Sequence, residues 1–293
     1  MSRRTIAVGI LVIWAIALGL FWRRTTHRTP EQVLAEVALR VAPETFYYIV
    51  EQGGKQVGAA ASAIDTTQTR LVITDFVRGV IRVGADSLRL QARSQARFSR
   101  GLLLRDFIVQ AEGDLTPFEA RGIVEAAPPT NLLRMTTVPR GGQSQSTEFP
   151  VTGPLFFPTS APLPLMLAED PRVGRQMKMQ LFDPIGRTTH DVTLRIESDS
   201  LFTVTDSAML DSAAGMWVEA HKDTVRAWKI GGDAPILTAW VDASGRLVAA
   251  SEPGGISLRR TAFEIAFQNL RRGSRNPDSS RVRDRTKGRA PPR

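Results

Sequence analysis

Three histidines are the side chains best suited to acid–base or metal chemistry in this chain: His27, His190 and His221. Zinc sites and catalytic motifs place histidines at fixed spacings, such as four residues apart on a helix, and none of the three has such a neighbour. His190 precedes Asp191 in a predicted strand, and His221 precedes Lys222 at a predicted hairpin tip. We expect both to be surface residues at strand ends. A His190/His221 pair assembled by the fold, and with it an unrecognised Asp/His/Ser hydrolase site, stays open.

Other signatures of catalysis are missing from the sequence. The chain has no cysteine, which excludes disulfides, thiolate zinc sites, iron–sulfur clusters and cysteine nucleophiles. It also lacks the Gly-x-Ser-x-Gly and Ser-x-x-Lys nucleophile motifs and both glycine-rich phosphate-binding motifs. The sequence therefore predicts a protein that is not an enzyme, with no catalytic residue, no metal and no cofactor.

Three tryptophans are the remaining candidates for a binding site. Trp217, Trp228 and Trp240 lie 11 and 12 residues apart, in three consecutive predicted strands. Indole rings make good walls for a ligand groove, so these residues are candidate groove-lining side chains. The alternative is that they are cross-strand neighbours in the core of a β-meander.

A long apolar segment opens the chain. Residues 5–22 carry no charge, and arginine pairs flank them at positions 3–4 and 23–24. As a helix, this segment would extend about 27 Å, close to the hydrocarbon thickness of a bilayer. Residues 1–28 are therefore predicted to be an uncleaved single-pass anchor, with the body on the exported, periplasmic or extracellular, side. Cleavage as a signal peptide after Ala15-Ile16-Ala17 is the alternative.

Basic residues are concentrated at the two ends of the chain. The formal charge is +5 over residues 1–28 and +7 over residues 271–293, whereas the residues between them sum to about −3. The body therefore lacks the charge of a nucleic-acid-binding domain. Residues 271–293 are predicted to form a disordered Arg-rich tail that is suited to contacts with anionic surfaces.

The body has the alternation of β-strands. In Ser87–Ser99, apolar or small residues alternate with arginine and glutamine, and similar alternation recurs near residues 107–111, 177–181 and 192–196. Turn signals separate such segments at Gly53-Gly54, Arg78-Gly79, Gly113-Asp114, Gly141-Gly142, Gly231-Gly232 and Asp242–Gly245. This pattern predicts a mainly β fold with a large antiparallel body.

The predicted domain order follows from the breaks in this pattern. Residues 29–43 form a linker or a short helix, and residues 44–270 form the β-rich body. Within the body, halves of about 44–150 and 172–270 are joined by the proline-rich residues 151–171, with a short helix around Leu163–Glu169. A final helix is expected from about Thr261 to Arg272. Two curved sheets sharing one core and two half-barrels side by side fit this order equally well.

Several blocks of the body resemble a known family. They are Tyr47–Gly58, Leu181-Phe182-Asp183-Pro184 after Gly174, Ala239–Val248, Gly254–Leu258 and Arg260–Ala266. Together they resemble the β-rich domain that precedes the catalytic core in bacterial transglutaminase-like membrane proteins, over about residues 47–266. The resemblance implies an accessory envelope domain. The family's core uses a cysteine nucleophile, and because this chain has no cysteine, that activity is not transferred to any residue.

Three functional hypotheses follow. The first is a membrane-anchored, non-catalytic envelope domain that binds or positions a protein partner, accessory to a separate transglutaminase-like enzyme. The second is a carrier that holds a lipid, an acyl chain or a lipoprotein in an apolar groove. The third is the hydrolase with an unrecognised site.

Overall fold

A computed structural model describes residues 30–84, 86–114, 117–127, 130–139, 141–233, 238–251 and 255–271. The predicted anchor, and the predicted tail apart from Arg271, lie outside these ranges. Within the described ranges, every helix is too short or too polar to cross a membrane.

The described chain is mainly β, with few helices. Its first strands are β1 (Glu44–Gln52), β2 (Lys55–Thr66), β3 (Arg70–Val83), β4 (Asp86–Ser99), β5 (Leu104–Gly113), β6 (Phe118–Glu125), β7 (Asn131–Pro139) and β8 (Gln145–Val151). The later strands are β9 (Leu155–Phe156), β10 (Gln176–Asp183), β11 (Thr188–Asp211), β12 (Met216–Gly232), β13 (Thr238–Asp242), β14 (Leu247–Ser251) and β15 (Ile256–Thr261). β4 confirms the strand predicted for Ser87–Ser99.

The fifteen strands belong to one sheet, in the order β8-β7-β6-β5-β4-β3-β2-β1-β15-β14-β13-β12-β11-β10-β9. All neighbouring strands are antiparallel except β9 and β10. Of the two arrangements that the sequence left open, two separate sheets are excluded, because β1 pairs through both of its edges. Tyr48 is in register with Ala60 of β2 on one side and with Arg260 of β15 on the other, so β1 joins the two halves of the chain.

The sheet curls until its two ends meet, which gives a nearly closed, barrel-like body. Phe149 on β8 and Phe182 on β10 lie near opposite ends of the strand order, yet their ring centroids are 5.4 Å apart. Phe107 on β5 is also 5.4 Å from Phe182. The side chains enclosed by this curl form the main core, and we call the face that carries them the concave face.

Two helices cover one part of the concave face. α1 (Pro30–Arg40) confirms the short helix predicted before the body, and α2 (Pro162–Leu167) confirms the short helix in the proline-rich connection. α1 and α2 pack together and contribute Val37 and Leu165 to the main core, where both are 0% exposed. The core at this end is therefore apolar.

A pair of glycines lets β2 and β3 approach closely. Gly58 and Gly79 are in register, and a Cβ atom on Gly79 would lie 2.8 Å from the carbonyl oxygen of Val57. Only glycine fits such a contact without displacing backbone. The predicted turn at Arg78-Gly79 was therefore wrong: Gly79 marks a close approach inside β3, whereas the chain turns after Val83.

The far part of a long hairpin and a short helix lie against the opposite, outer face. β11 and β12 form an arm of 24 and 17 residues, and Phe202 and Trp240 pack together there with centroids 5.0 Å apart. The predicted final helix is present, with π-helical geometry over Glu264–Gln268. Its Phe267 packs into a second core with Ile49 of β1.

Candidate functional site

The two candidate histidines lie far apart. His190 is exposed near the start of β11, where its Nε2 is 2.8 Å from the Thr188 hydroxyl oxygen. His221 is also exposed, with its Nδ1 2.9 Å from Asp206. It lies inside β12, so the predicted tip position was wrong. Its register partner Ser207 is 17 residues along β11 from His190, so the two imidazoles do not share a site.

The three tryptophans do not line a common surface. Trp217 and Trp228 both belong to β12, so the prediction of three consecutive strands was wrong. Trp228 is buried in the main core, whereas Trp240 packs on the outer face against Phe202. Trp217 is partly buried, and its backbone N–H donates to the Asn269 side-chain oxygen at 2.8 Å. Trp228 is a core residue, but Trp240 lies on the other face of the sheet, so the two are not cross-strand neighbours in one core.

A row of polar side chains crosses the concave face on three adjacent strands. Ser62, Asp75 and Ser94 are in register on β2, β3 and β4. The Ser62 hydroxyl donates to Asp75 Oδ1 at 2.7 Å, and the Ser94 hydroxyl donates to Oδ2 at 3.3 Å. The neighbouring concave positions on β3 are Ile73 and Val77, so Asp75 is a carboxyl group set into an apolar wall.

Burial dominates the electrostatics of this carboxyl group. Protein atoms surround it closely, and this burial raises the pKa of Asp75 above its ordinary value, while hydrogen bonds from Ser62, Thr159 and Ser94 act in the opposite direction. Part of the Asp75 surface stays accessible, so the group is desolvated without being sealed off. Such an acid can present a hydrogen-bond donor to a ligand, which an ordinary ionised carboxylate cannot.

A buried ion pair lies on the same face at the β1–β15 junction. Arg260 Nη2 is 2.8 Å from Asp242 Oδ2, and the two side chains are only 9% and 13% exposed. The Arg260 guanidinium also donates to the Leu247 carbonyl and stacks 3.9 Å above the Phe46 ring. Tyr48 donates to the same Leu247 carbonyl at 3.3 Å, and burial raises the pKa of its phenol above the ordinary value. This network stiffens the junction between the two halves.

Arg246 connects this network to the segment before β1. It is 7% exposed and donates through Nη2 to the Ala42 carbonyl at 3.2 Å. Burial lowers the pKa of its guanidinium, and the nearby Glu44 carboxylate opposes that effect. Its positive charge also favours a lower pKa of Asp75, against the effect of burial. Asp75 and Arg246 therefore belong to one electrostatic unit at the boundary of the main core.

Beyond the polar row, the concave face becomes apolar again and is less completely buried. The alternation that places Ile73, Phe98 and Phe107 in the core places further apolar residues on the same face, toward the opposite ends of β3 to β6. These residues are partly exposed, and we call them the apolar wall: Val77, Leu90, Ala92, Ala111 and Phe118. The site is thus an apolar surface that ends at a hydrogen-bonding carboxyl group.

Sequence reasoning did not identify Asp75 or its serine partners as a site. Each residue does carry a signal: it is the polar member of an otherwise apolar or small alternating set, as in Ile73-x-Asp75-x-Val77. That signal becomes a site only when the strand registers align the three residues. Elsewhere in the described ranges, no group of three acidic or histidine side chains is positioned to hold a metal ion.

Comparison with known proteins gives little further information. No protein-family description matches the chain, and no curated protein matches it in sequence. It is similar to a solved structure from Brucella abortus, described as a beta-barrel-like protein of domain of unknown function DUF1849. The identity is 10%, the match covers 75% of this chain and 95% of that chain, and the TM-score is 0.44. The transglutaminase-like resemblance stays a prediction.

Proposed function

We propose that this chain is a non-catalytic binding domain of the cell envelope, tethered to a membrane through residues 5–22, that holds an acyl chain against its concave face. The observation that supports this proposal is the partly exposed apolar wall on β3 to β6. Burying apolar surface contributes roughly 25 cal/mol per Å². A wall of this kind is therefore a favourable place for an aliphatic ligand, and aligned apolar side chains are typical of ligand sites.

The polar row gives the ligand an orientation. An acyl chain lying along Leu90, Ala92 and Val77 would bring its carbonyl end toward Asp75, since these residues follow one another at two-residue steps on adjacent strands. The raised pKa of Asp75 favours its protonated form, and in that form the carboxyl group can donate a hydrogen bond to an ester or carboxyl oxygen. The Ser62 and Ser94 hydroxyls keep the Asp75 side chain in place. We expect the proposed carrier to prefer lipids over alkanes of equal length for this reason.

Two residues of β4 offer a matched test. Ala92 belongs to the apolar wall, whereas Ser87 is exposed and lies on the outer face of the same strand. The full-length protein in membrane vesicles would be labelled with a photoreactive fatty acid, and the labelled peptides identified by mass spectrometry. Wild type and Ser87→Asp should be labelled within β3 to β6, and unlabelled fatty acid should compete. Ala92→Asp should reduce that labelling at least tenfold, because the ligand would have to cover a carboxylate.

Two outcomes would contradict the carrier proposal. One is labelling of wild-type β3 to β6 that unlabelled fatty acid does not reduce. The other is equal loss in Ser87→Asp and Ala92→Asp, which would show a general effect of added charge.

A second candidate function is the binding of a protein partner in the envelope. It is favoured by apolar side chains near the tip of the β11–β12 arm: Met209, Met216 and Val218 are 55%, 48% and 39% exposed. Their register places them on one face of the arm. The resemblance suggests a transglutaminase-like enzyme as the partner.

This second candidate can be tested by site-specific photocrosslinking from position 209 in cells. We expect a discrete crosslinked protein that Met216→Glu abolishes and Ala213→Glu, in the exposed turn beyond the strands, preserves. If the chain with the photoreactive residue at position 209 and no other change gives no discrete adduct, the arm is excluded as the binding surface.

A further inference from the structure

An arginine-lined cleft of about 400 Å³ opens on the outer face, where the C-terminal helical segment ends over β2 to β5. We call it the arginine cleft. Its lining residues are Val57, Arg78, Gly79, Val80, Arg89, Leu90, Gln91, Glu112, Gly113, Leu270 and Arg271. Arg78, Arg89 and Glu112 lie on the side of the sheet opposite Ala92 and Asp75, and Leu90 is the one residue that the cleft shares with the apolar wall.

Arg78 is the central side chain of this cleft. Its guanidinium lies over the Phe267 ring, 5.4 Å from the centroid, and this contact fixes the direction of the side chain. Its Nε is buried and has no hydrogen-bond acceptor among the residues that the structure describes. A buried donor without a partner has lost its water without gaining a hydrogen bond, which is unfavourable. The fold therefore holds an arginine in place with part of its hydrogen-bonding capacity unused.

Positive side chains outnumber carboxylates among the described residues at this cleft. The guanidinium groups of Arg78, Arg89 and Arg271 line it together with the Glu112 carboxylate, and the Asp114 carboxylate accepts from the Arg89 backbone N–H at 2.8 Å. Burial, and after it the nearby charge of Arg271, lower the pKa of Arg78. A bound anion would reduce the repulsion between these two guanidinium groups, and it would accept hydrogen bonds from the Nη groups of Arg78, since Nε is buried.

We propose that the arginine cleft binds a phosphate-type oxyanion, with Arg78 as its central ligand and Arg89 and Arg271 beside it. Guanidinium groups present planar pairs of N–H donors that match phosphate oxygens, and such charge-assisted hydrogen bonds are stronger than neutral ones. A lipid phosphodiester headgroup and free phosphate share this chemistry. The inference does not depend on the acyl-chain proposal, because its arginine ligands are not part of the apolar wall and its test measures binding of soluble anions.

Binding can be measured on the full-length protein in a nonionic detergent by isothermal titration calorimetry. The probes are inorganic phosphate and glycerophosphoglycerol, a soluble phosphodiester headgroup, each against sodium chloride of equal ionic strength. Arg78→Gln should weaken binding at least tenfold, and Arg271→Gln should weaken it several-fold. Arg93→Gln is the matched control, because Arg93 is exposed on the same face of β4 but outside the cleft. It should change the dissociation constant less than twofold.

The outcomes distinguish a lipid headgroup from free phosphate, and two of them overturn the proposal. Binding of glycerophosphoglycerol at least as tight as phosphate binding identifies a lipid headgroup, whereas binding of phosphate alone identifies a free oxyanion. The proposal is overturned if neither probe binds beyond the chloride control. It is also overturned if Arg93→Gln weakens binding as much as Arg271→Gln, since general surface charge would then explain the affinity. The Arg271 variant keeps the test valid if Arg78→Gln fails to fold.

Discussion

The contact that closes the sheet leads to a quantitative prediction. Phe149 on β8 and Phe182 on β10 are separated by twelve intervening strands in the hydrogen-bonded order, and they meet only because the sheet curls. Their ring centroids are 5.4 Å apart with planes at 64°, an edge-to-face arrangement. Phe182 is 0% exposed and also contacts Phe107 and Phe157. We predict that Phe149→Leu and Phe182→Leu are energetically coupled.

The size of the coupling follows from this geometry. An edge-to-face aromatic pair contributes about 0.5–1.5 kcal/mol beyond the area that it buries. Either single substitution removes the whole pair interaction, so the double variant should be about 1 kcal/mol more stable than the sum of the single effects predicts. Residues without a shared contact usually add within about 0.5 kcal/mol.

Urea unfolding of the full-length protein in detergent, followed by tryptophan fluorescence, measures the four free energies of unfolding. The matched control cycle combines Phe182→Leu with Phe76→Leu. Phe76 belongs to the second core on the outer face, where its ring stacks on Phe267. We expect this control cycle to be additive. A coupling between Phe149 and Phe182 no larger than the control would refute the closed arrangement of the sheet.

Three further predictions concern single residues and use the same unfolding assay. The raised pKa of Asp75 means that the unfolded chain binds fewer protons than the folded chain between about pH 4 and the folded pKa, so the stability of the wild type falls as pH rises through that interval. Asp75→Asn should therefore gain free energy of unfolding relative to the wild type over the same interval. A difference that does not change with pH would contradict the assignment. Asp242→Asn should lower the free energy of unfolding by about 3 kcal/mol, because it leaves the buried charge of Arg260 without a carboxylate. A loss below about 1 kcal/mol, which is typical of exposed pairs, would show that the pair is solvated. Gly79→Ala should lower the free energy of unfolding by about 1–3 kcal/mol, because the added Cβ meets the backbone of β2. The control Gly153→Ala, with no atom within 4 Å of the added carbon, should change it by no more than about 0.5 kcal/mol. Equal effects of the two substitutions would argue against the close approach.

Local pattern was sufficient for many single elements. The two-residue alternation of Ser87–Ser99 predicts both the strand and its polar outer row, because side chains of a strand point to opposite faces whatever the strand pairs with. Gly53-Gly54 marks a real turn, since both glycines adopt positive φ angles that favour glycine. Gly79 gives the same sequence signal for a different reason. A glycine can serve either a turn or a close backbone approach, and the residues beside it do not distinguish the two.

The candidate site was harder to predict for a related reason. In the chain, Ser62 lies 13 residues before Asp75 and Ser94 lies 19 residues after it. Each of the three alone is typical of a solvated strand residue. Likewise, nothing local to Trp217 and Trp228 shows that one long strand contains both.

The sequence by itself determined the β-rich class, the positions of α1 and α2, and which side chains of β4 share a face, because these depend on contacts within a few residues. Tertiary structure alone decided that β1 pairs with β15, that Phe149 meets Phe182, and that Asp75 lies desolvated between two serines. Those features depend on the register of distant strands and on the curl of the whole sheet. Because the free energy of such contacts is shared among residues far apart in the chain, no local pattern records it.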